Sequence, residues 1–240
     1  MRRNEFSPNQ DVEEGEYAGE FEEALIRRAF IQKVYFILSI QLLVTLGIIS
    51  IFVLNEELQD YVTEQPHLLL IAFIVTFVTM ITLACCPQVR RKMPANYICL
   101  AIFTLAKGFL LGVVSSIYDP MTVLTAVGIT AAVCFALTLF AMQTKWDFTV
   151  MGGFLLVVLV VFLIFSLFMF FFQTHVMKLI YCSLGVLIFS LYLLYDTQLM
   201  LGGKHQYSVS PDEYVFAALN LYLDIVQIFM YILGLLGSRD

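Results

Sequence analysis

Seven stretches of this chain stay apolar for about 20 residues, the length of helix needed to cross a hydrocarbon layer about 30 Å thick. They fall near 34–54, 67–86, 96–117, 121–142, 149–172, 177–200 and 214–236. That layer holds no water, so each backbone N–H and C=O must bond inside its own segment, and each stretch is expected to be a helix. Composition agrees. The 240 residues are 60% hydrophobic and 13% charged, where a soluble domain carries about a quarter charged residues. An all-α, multi-pass membrane protein is therefore expected.

The chain reads as two parts. Residues 1–30 form an acidic tail, expected to be disordered and cytosolic, and 31–237 form a seven-helix transmembrane domain. Carboxylates from Glu5 to Glu23 crowd the tail against Arg2 and Arg3, and they account for most of the net charge of −6. The polar opening argues against a signal peptide. No basic, aromatic-laced patch points to nucleic acid. The cysteines lie in or at the ends of spans without metal-like spacing, and read as small apolar side chains.

Basic residues set the orientation. Arg27, Arg28, Lys33, Arg90, Arg91, Lys92, Lys145 and Lys204 join the arginines of the tail on one side, while the other side has Lys178 and Arg239. The positive-inside rule puts the N-terminus in the cytosol. The loop 55–66, with Glu56, Glu57, Asp60 and Glu64 and no basic residue, then faces the lumen or exterior, and short loops leave no room for an extramembrane domain.

Three ionisable residues sit within the spans: Lys107, Asp196 and Asp224. At 1.5 Å of rise per residue, Asp196 lies about 10 Å from the end of the sixth span. Asp224 and Lys107 lie about 15 Å into the seventh and third by the same arithmetic. All three can thus meet at one level. Asn220, Asp224 and Gln227 share a helix face. Placing a carboxylate in lipid costs several kcal/mol, which marks it as functional. Two together cannot both ionise cheaply, so one holds a proton. Such a pair suits a proton sensor, a cation site or an acid–base couple. The intramembrane aspartyl protease option lacks its G-x-G-D motif, since the second aspartate stands in "LYLD" (221–224). The protein is not expected to be an enzyme.

Four ordered motifs carry a resemblance: "FIQKVYFILSIQLLVTL" (30–46), "LACCPQVRRKMPAN" (83–96), "YDTQLMLGG" (195–203) and "SPDEYVFAALNLYLDIVQIF" (210–229). Over about residues 21–237 the chain resembles the Bax-inhibitor-motif transmembrane family, lifeguard branch. The resemblance implies seven helices, six arranged around a central C-terminal one. It implies a pH-dependent calcium leak of intracellular membranes that restrains apoptosis, with Asp196 and Asp224 as the hydrogen-bonded, pH-sensing pair. It also implies a basic latch, similar to Arg90 or Arg91, that can bind one aspartate and close the pore.

Lys107 does not fit the family pattern. It either snorkels toward an interface or pairs with an aspartate, and it is carried with Asn220 and Gln227 as a modulator of the pair. Calcium wants several oxygens. Asp196 and Asp224, with Asn220, Gln227 and backbone carbonyls, are expected to hold it weakly as a permeant ion, with no other cofactor. The expected partners are the bilayer, calcium and protons, with cell-death regulators or membrane receptors. The expected location is the endoplasmic reticulum, the Golgi or the plasma membrane. The rival reading is a non-conducting interaction protein that inhibits cell death by binding death-pathway partners.

Overall fold

The computed structural model describes the backbone of residues 8–171, 174–203 and 205–237, with side chains from residue 22 onward apart from 170. Arg2, Arg3, Lys204, Arg239 and the carboxylates of residues 1–21 lie outside the described side chains. All the long elements are helices: α1 (Pro8–Leu54), α2 (Glu56–Glu64), α3 (Pro66–Cys85), α4 (Pro87–Arg91), α5 (Ala95–Ser115), α6 (Pro120–Gln143), α7 (Gly152–Phe171), α8 (His175–Leu201) and α9 (Tyr214–Leu236). Short 3-10 turns, Phe148–Met151 and Pro211–Glu213, lead into α7 and α9. Seven helices are long and apolar enough to cross a bilayer: α1, α3 and α5 to α9.

Local chemistry sets most of the boundaries. Pro66, Pro87 and Pro120 stand in the first turns of α3, α4 and α6, where a missing N–H costs nothing. Asn55, Asp119 and Thr174 cap α2, α6 and α8 by accepting from backbone N–H groups two or three residues on. Gly202 and Gly203 stop α8 at φ values of 60° and 72°, a region only glycine enters freely.

Two elements differ from expectation. α1 begins at Pro8, so helix runs through most of the segment expected to be a disordered tail. That segment is rich in glutamate and alanine, both good helix formers, and it is continuous with a span already nucleated. The acidic loop 55–66 contains α2, which Asn55 caps, and its Val62 is buried.

α9 is the most buried span. It packs directly on α8, α1, α6 and α5, while α3 leans mainly on α5, and α7 on α8. Tyr222, Leu219, Leu221, Ile228 and Leu233 of α9 are fully enclosed. Lipid supplies no hydrophobic drive between helices, so close approach at small residues matters more. Ile48 fills the space a side chain at Gly108 would take, and the Tyr231 ring does the same at Gly185.

Candidate functional site

α8 and α9 form the most extensive helix pair in the bundle, and each carries one of the intramembrane aspartates. Asp196 and Asp224 meet there with their carboxyls in hydrogen-bonding reach of one another. Asp224 is 4% exposed, and its Oδ2 has no partner among the described residues. Asp196 is half-buried. Tyr192, one turn earlier on α8, and Cys134 of α6 border the pair. Beside Asp196, the buried Thr197 hydroxyl also lacks a partner among the described residues. Two carboxyls with nearby hydroxyls and little water can exchange a proton and can offer oxygens to a passing cation.

The structure does not bring Arg90 or Arg91 to either aspartate. Both grip Glu213, in the 3-10 turn that leads into α9. Arg90 Nε lies 2.5 Å from Glu213 Oε2 and Arg91 Nη2 2.5 Å from Oε1. Arg90 also donates to the Ala84 carbonyl at 2.9 Å and lies over the Phe216 ring. The reason is local: Pro87 turns the chain after α3, and the short α4 points its last two residues at the entrance of α9. Glu213 to Asp224 is eleven residues of mostly helical rise, about 16 Å. The arginine-to-aspartate contact expected of a latch is therefore absent from this arrangement. The sequence reading missed Glu213, because it precedes the apolar run and its partners stand 122 and 123 positions away.

Lys107 is not brought into an ion pair with Asp196 or Asp224 among the described residues. On α5, the neighbouring Phe103 stacks edge-on against Tyr222 of α9. Tyr222 and Asp224 are two residues apart, about 200° around the helix, so α5 meets the face of α9 turned away from the pair. Asn220 and Gln227 are half-buried, and no hydrogen bond joins either to an aspartate among the described residues. No group of three His, Cys, Asp or Glu side chains is assembled among those residues either.

The remaining site residue of "YDTQ" has a structural task. Gln198 is fully buried; its Oε1 accepts from the Phe148 N–H at 2.7 Å and its Nε2 donates to the Trp146 carbonyl at 2.9 Å. It holds the α6–α7 connection against α8, two residues from Asp196.

A profile of the family described as "Inhibitor of apoptosis-promoting Bax1" matches residues 27–240. The chain is 42% identical over 226 residues to mouse protein lifeguard 3, covering 92% of this chain and 73% of that protein. It is 39% identical to the human protein of the same name, over 92% of this chain and 72% of the relative. It is 38% identical to Bax inhibitor 1 of Schizosaccharomyces pombe, over 88% of this chain and 77% of that protein. The chain belongs to the Bax-inhibitor-1 family. Its matched region contains the aspartate pair, both arginines and Glu213. Members of the Bax-inhibitor-1 family are non-enzymatic membrane proteins, and membership implies a part in regulating apoptosis.

A second polar junction ties the loops on the basic face. Asp147 Oδ1 accepts from the Thr149 hydroxyl at 2.6 Å and from its N–H at 3.0 Å, and Oδ2 accepts from the Gln206 N–H at 2.8 Å. These bonds, the Thr149 hydroxyl first, hold the Asp147 carboxyl below its ordinary range. The His205 side chain is 16% exposed, with Nδ1 3.4 Å from Asp147 Oδ1.

Proposed function

We propose that this protein is a pH-sensitive calcium-leak channel of intracellular membranes that restrains apoptosis through calcium homeostasis. The observation that carries the reading is the meeting of Asp196 and Asp224 inside the bundle. While the pair holds a proton, its charge is low and its oxygens are engaged with one another. Loss of protons leaves adjacent carboxylates that repel, separate and attract a divalent cation. Weak binding by a few oxygens suits conduction, since a tightly held ion would not leave.

The positive-inside rule favours a cytosolic position for the basic face, with Arg27, Lys33, Arg90 to Lys92 and Lys145. On that face Arg90 and Arg91 hold Glu213, and so restrain the start of the helix that carries Asp224. Glu213 thereby extends the gate beyond the two aspartates: the arginines restrain α9 from its entrance.

The test is calcium flux into proteoliposomes as pH is varied, comparing wild type with Asp196→Asn and Asp224→Asn. The expected result is a leak whose pH dependence either substitution flattens. A wild type without flux, or both variants with the wild-type profile, would overturn the reading and favour a non-conducting protein that acts through death-pathway partners.

A further inference from the structure

We propose that the groove between α1 and α5 holds one anionic phospholipid, its phosphate against Lys33 and one acyl chain along the helices. The groove has a volume of about 590 Å³, and its walls include Phe36, Ile40 and Val44 of α1 with Ala101 and Leu105 of α5. Phe36 is 67% exposed, and the groove opens sideways to lipid. Beyond Val44 the two helices come together, and Ile48 occupies the space beside Gly108. From Lys33 to Val44 is eleven residues, about 16 Å of helix, close to half of a hydrocarbon layer of about 30 Å. The groove therefore has the length of a chain from one leaflet, with its Lys33 end on the basic face.

The charge at that end says which lipid fits. Lys33 Nζ rests 3.3 Å from the centre of the Tyr214 ring. No carboxylate among the described residues lies within ion-pair distance of it. The residue after Glu213 is Tyr214, so Lys33 stands beside the cluster in which one buried glutamate faces two arginines. Lys92, just after α4, is exposed. Among the described residues that line the groove, Lys33 is the charged one, so its mouth is positive. A half-buried ammonium above an apolar slot is complementary to a phosphate joined to an acyl chain, and basic pockets between helices at this face recruit such headgroups. The Tyr214 ring fixes the ammonium from one side and leaves donors free toward the mouth. A zwitterionic lipid would bring the same phosphate together with its own cationic choline, and so would leave the net positive charge of the mouth uncompensated. This inference does not depend on calcium conduction.

The test uses the full chain in vesicles, with tryptophan as a reporter. In a Trp146→Phe background, Phe36→Trp places a reporter in the groove, and Leu163→Trp, on the lipid-exposed face of α7, serves as the control. Brominated-chain phosphatidylserine is compared with brominated-chain phosphatidylcholine. The expected result at Phe36→Trp is quenching by phosphatidylserine at about a fivefold lower mole fraction, the preference one basic residue confers near an anionic surface. Lys33→Ala should remove the preference and Lys33→Arg should keep it, while Leu163→Trp shows none throughout. Equal quenching by the two lipids at Phe36→Trp overturns the proposal. So does a preference that survives Lys33→Ala, and so does displacement of the quenching lipid by soluble glycerophosphate, which would make the site one for free phosphate.

Discussion

The hydroxyls of Tyr222 and Thr45 join at 2.8 Å on the side of α9 opposite Asp224. One helix thus presents a neutral hydrogen bond to α1 and an acidic group to α8. Interhelical bonds of this kind contribute about 0.6 kcal/mol on average and at most about 1.7. Tyr222→Phe should lower stability in detergent by an amount in that range. The pH at which calcium flux changes should stay where it is, because the aspartates face elsewhere. A shifted flux profile in this variant would show that the two faces of α9 are coupled.

Glu213 makes the larger contribution at the basic face. Its side chain is 6% exposed, between Arg90 at 17% and Arg91 at 52%. Removing the charge from a buried pair costs about 3–5 kcal/mol because its partner is stranded. Glu213→Gln should approach that loss in an unfolding titration. Arg91→Ala should cost under about 1 kcal/mol, since its guanidinium is largely in water. Equal losses in the two variants would mean that the carboxylate is solvated.

Asp147 yields a prediction with a definite sign. Its folded-state value lies below the ordinary 3.8, chiefly through the Thr149 hydroxyl and then the Gln206 N–H. A lowered carboxyl stabilises the fold above its unfolded value, and that contribution disappears as pH falls through the folded one. Asp147→Asn should therefore melt below wild type at neutral pH. The gap should close progressively once pH drops under about 3.8. A gap that persists in strong acid would assign the effect to shape, not charge.

Gly185 of α8 lies directly against the Tyr231 ring of α9. A Cβ there would stand 2.6 Å from the Tyr231 ring, and that ring packs against Phe162, Tyr181 and Phe189. Gly185→Ala should destabilise the protein by about 1–3 kcal/mol, the usual cost of overpacking. Thermal unfolding would register it, and Tyr231→Leu in the same chain should recover part of the loss.

Depth was legible in the sequence, and azimuth was not. Apolar run length located all seven spans, and helical rise brought Asp196 and Asp224 to one level, where the structure has them. The same arithmetic put Lys107 beside them, yet no ion pair joins it to either among the described residues. Which side of a helix a residue occupies depends on which neighbours surround that helix, and those neighbours come from distant parts of the chain. Glu213 was hidden for a related reason. A carboxylate before a span reads as a surface charge until the chain 122 positions upstream delivers two arginines to it.

Gln198 grips the α6–α7 connection through the main chain alone, at Ala141, Trp146 and Phe148. Such a hold takes no account of what side chains the connection carries. Outside Asp147 and Thr149, whose side chains bind the loop before α9, the hairpin can vary in residue identity and stay docked two positions from Asp196, provided its length is kept. A single inserted residue would be more damaging than several substitutions, because it would carry the Trp146 carbonyl and the Phe148 amide out of register with one amide group.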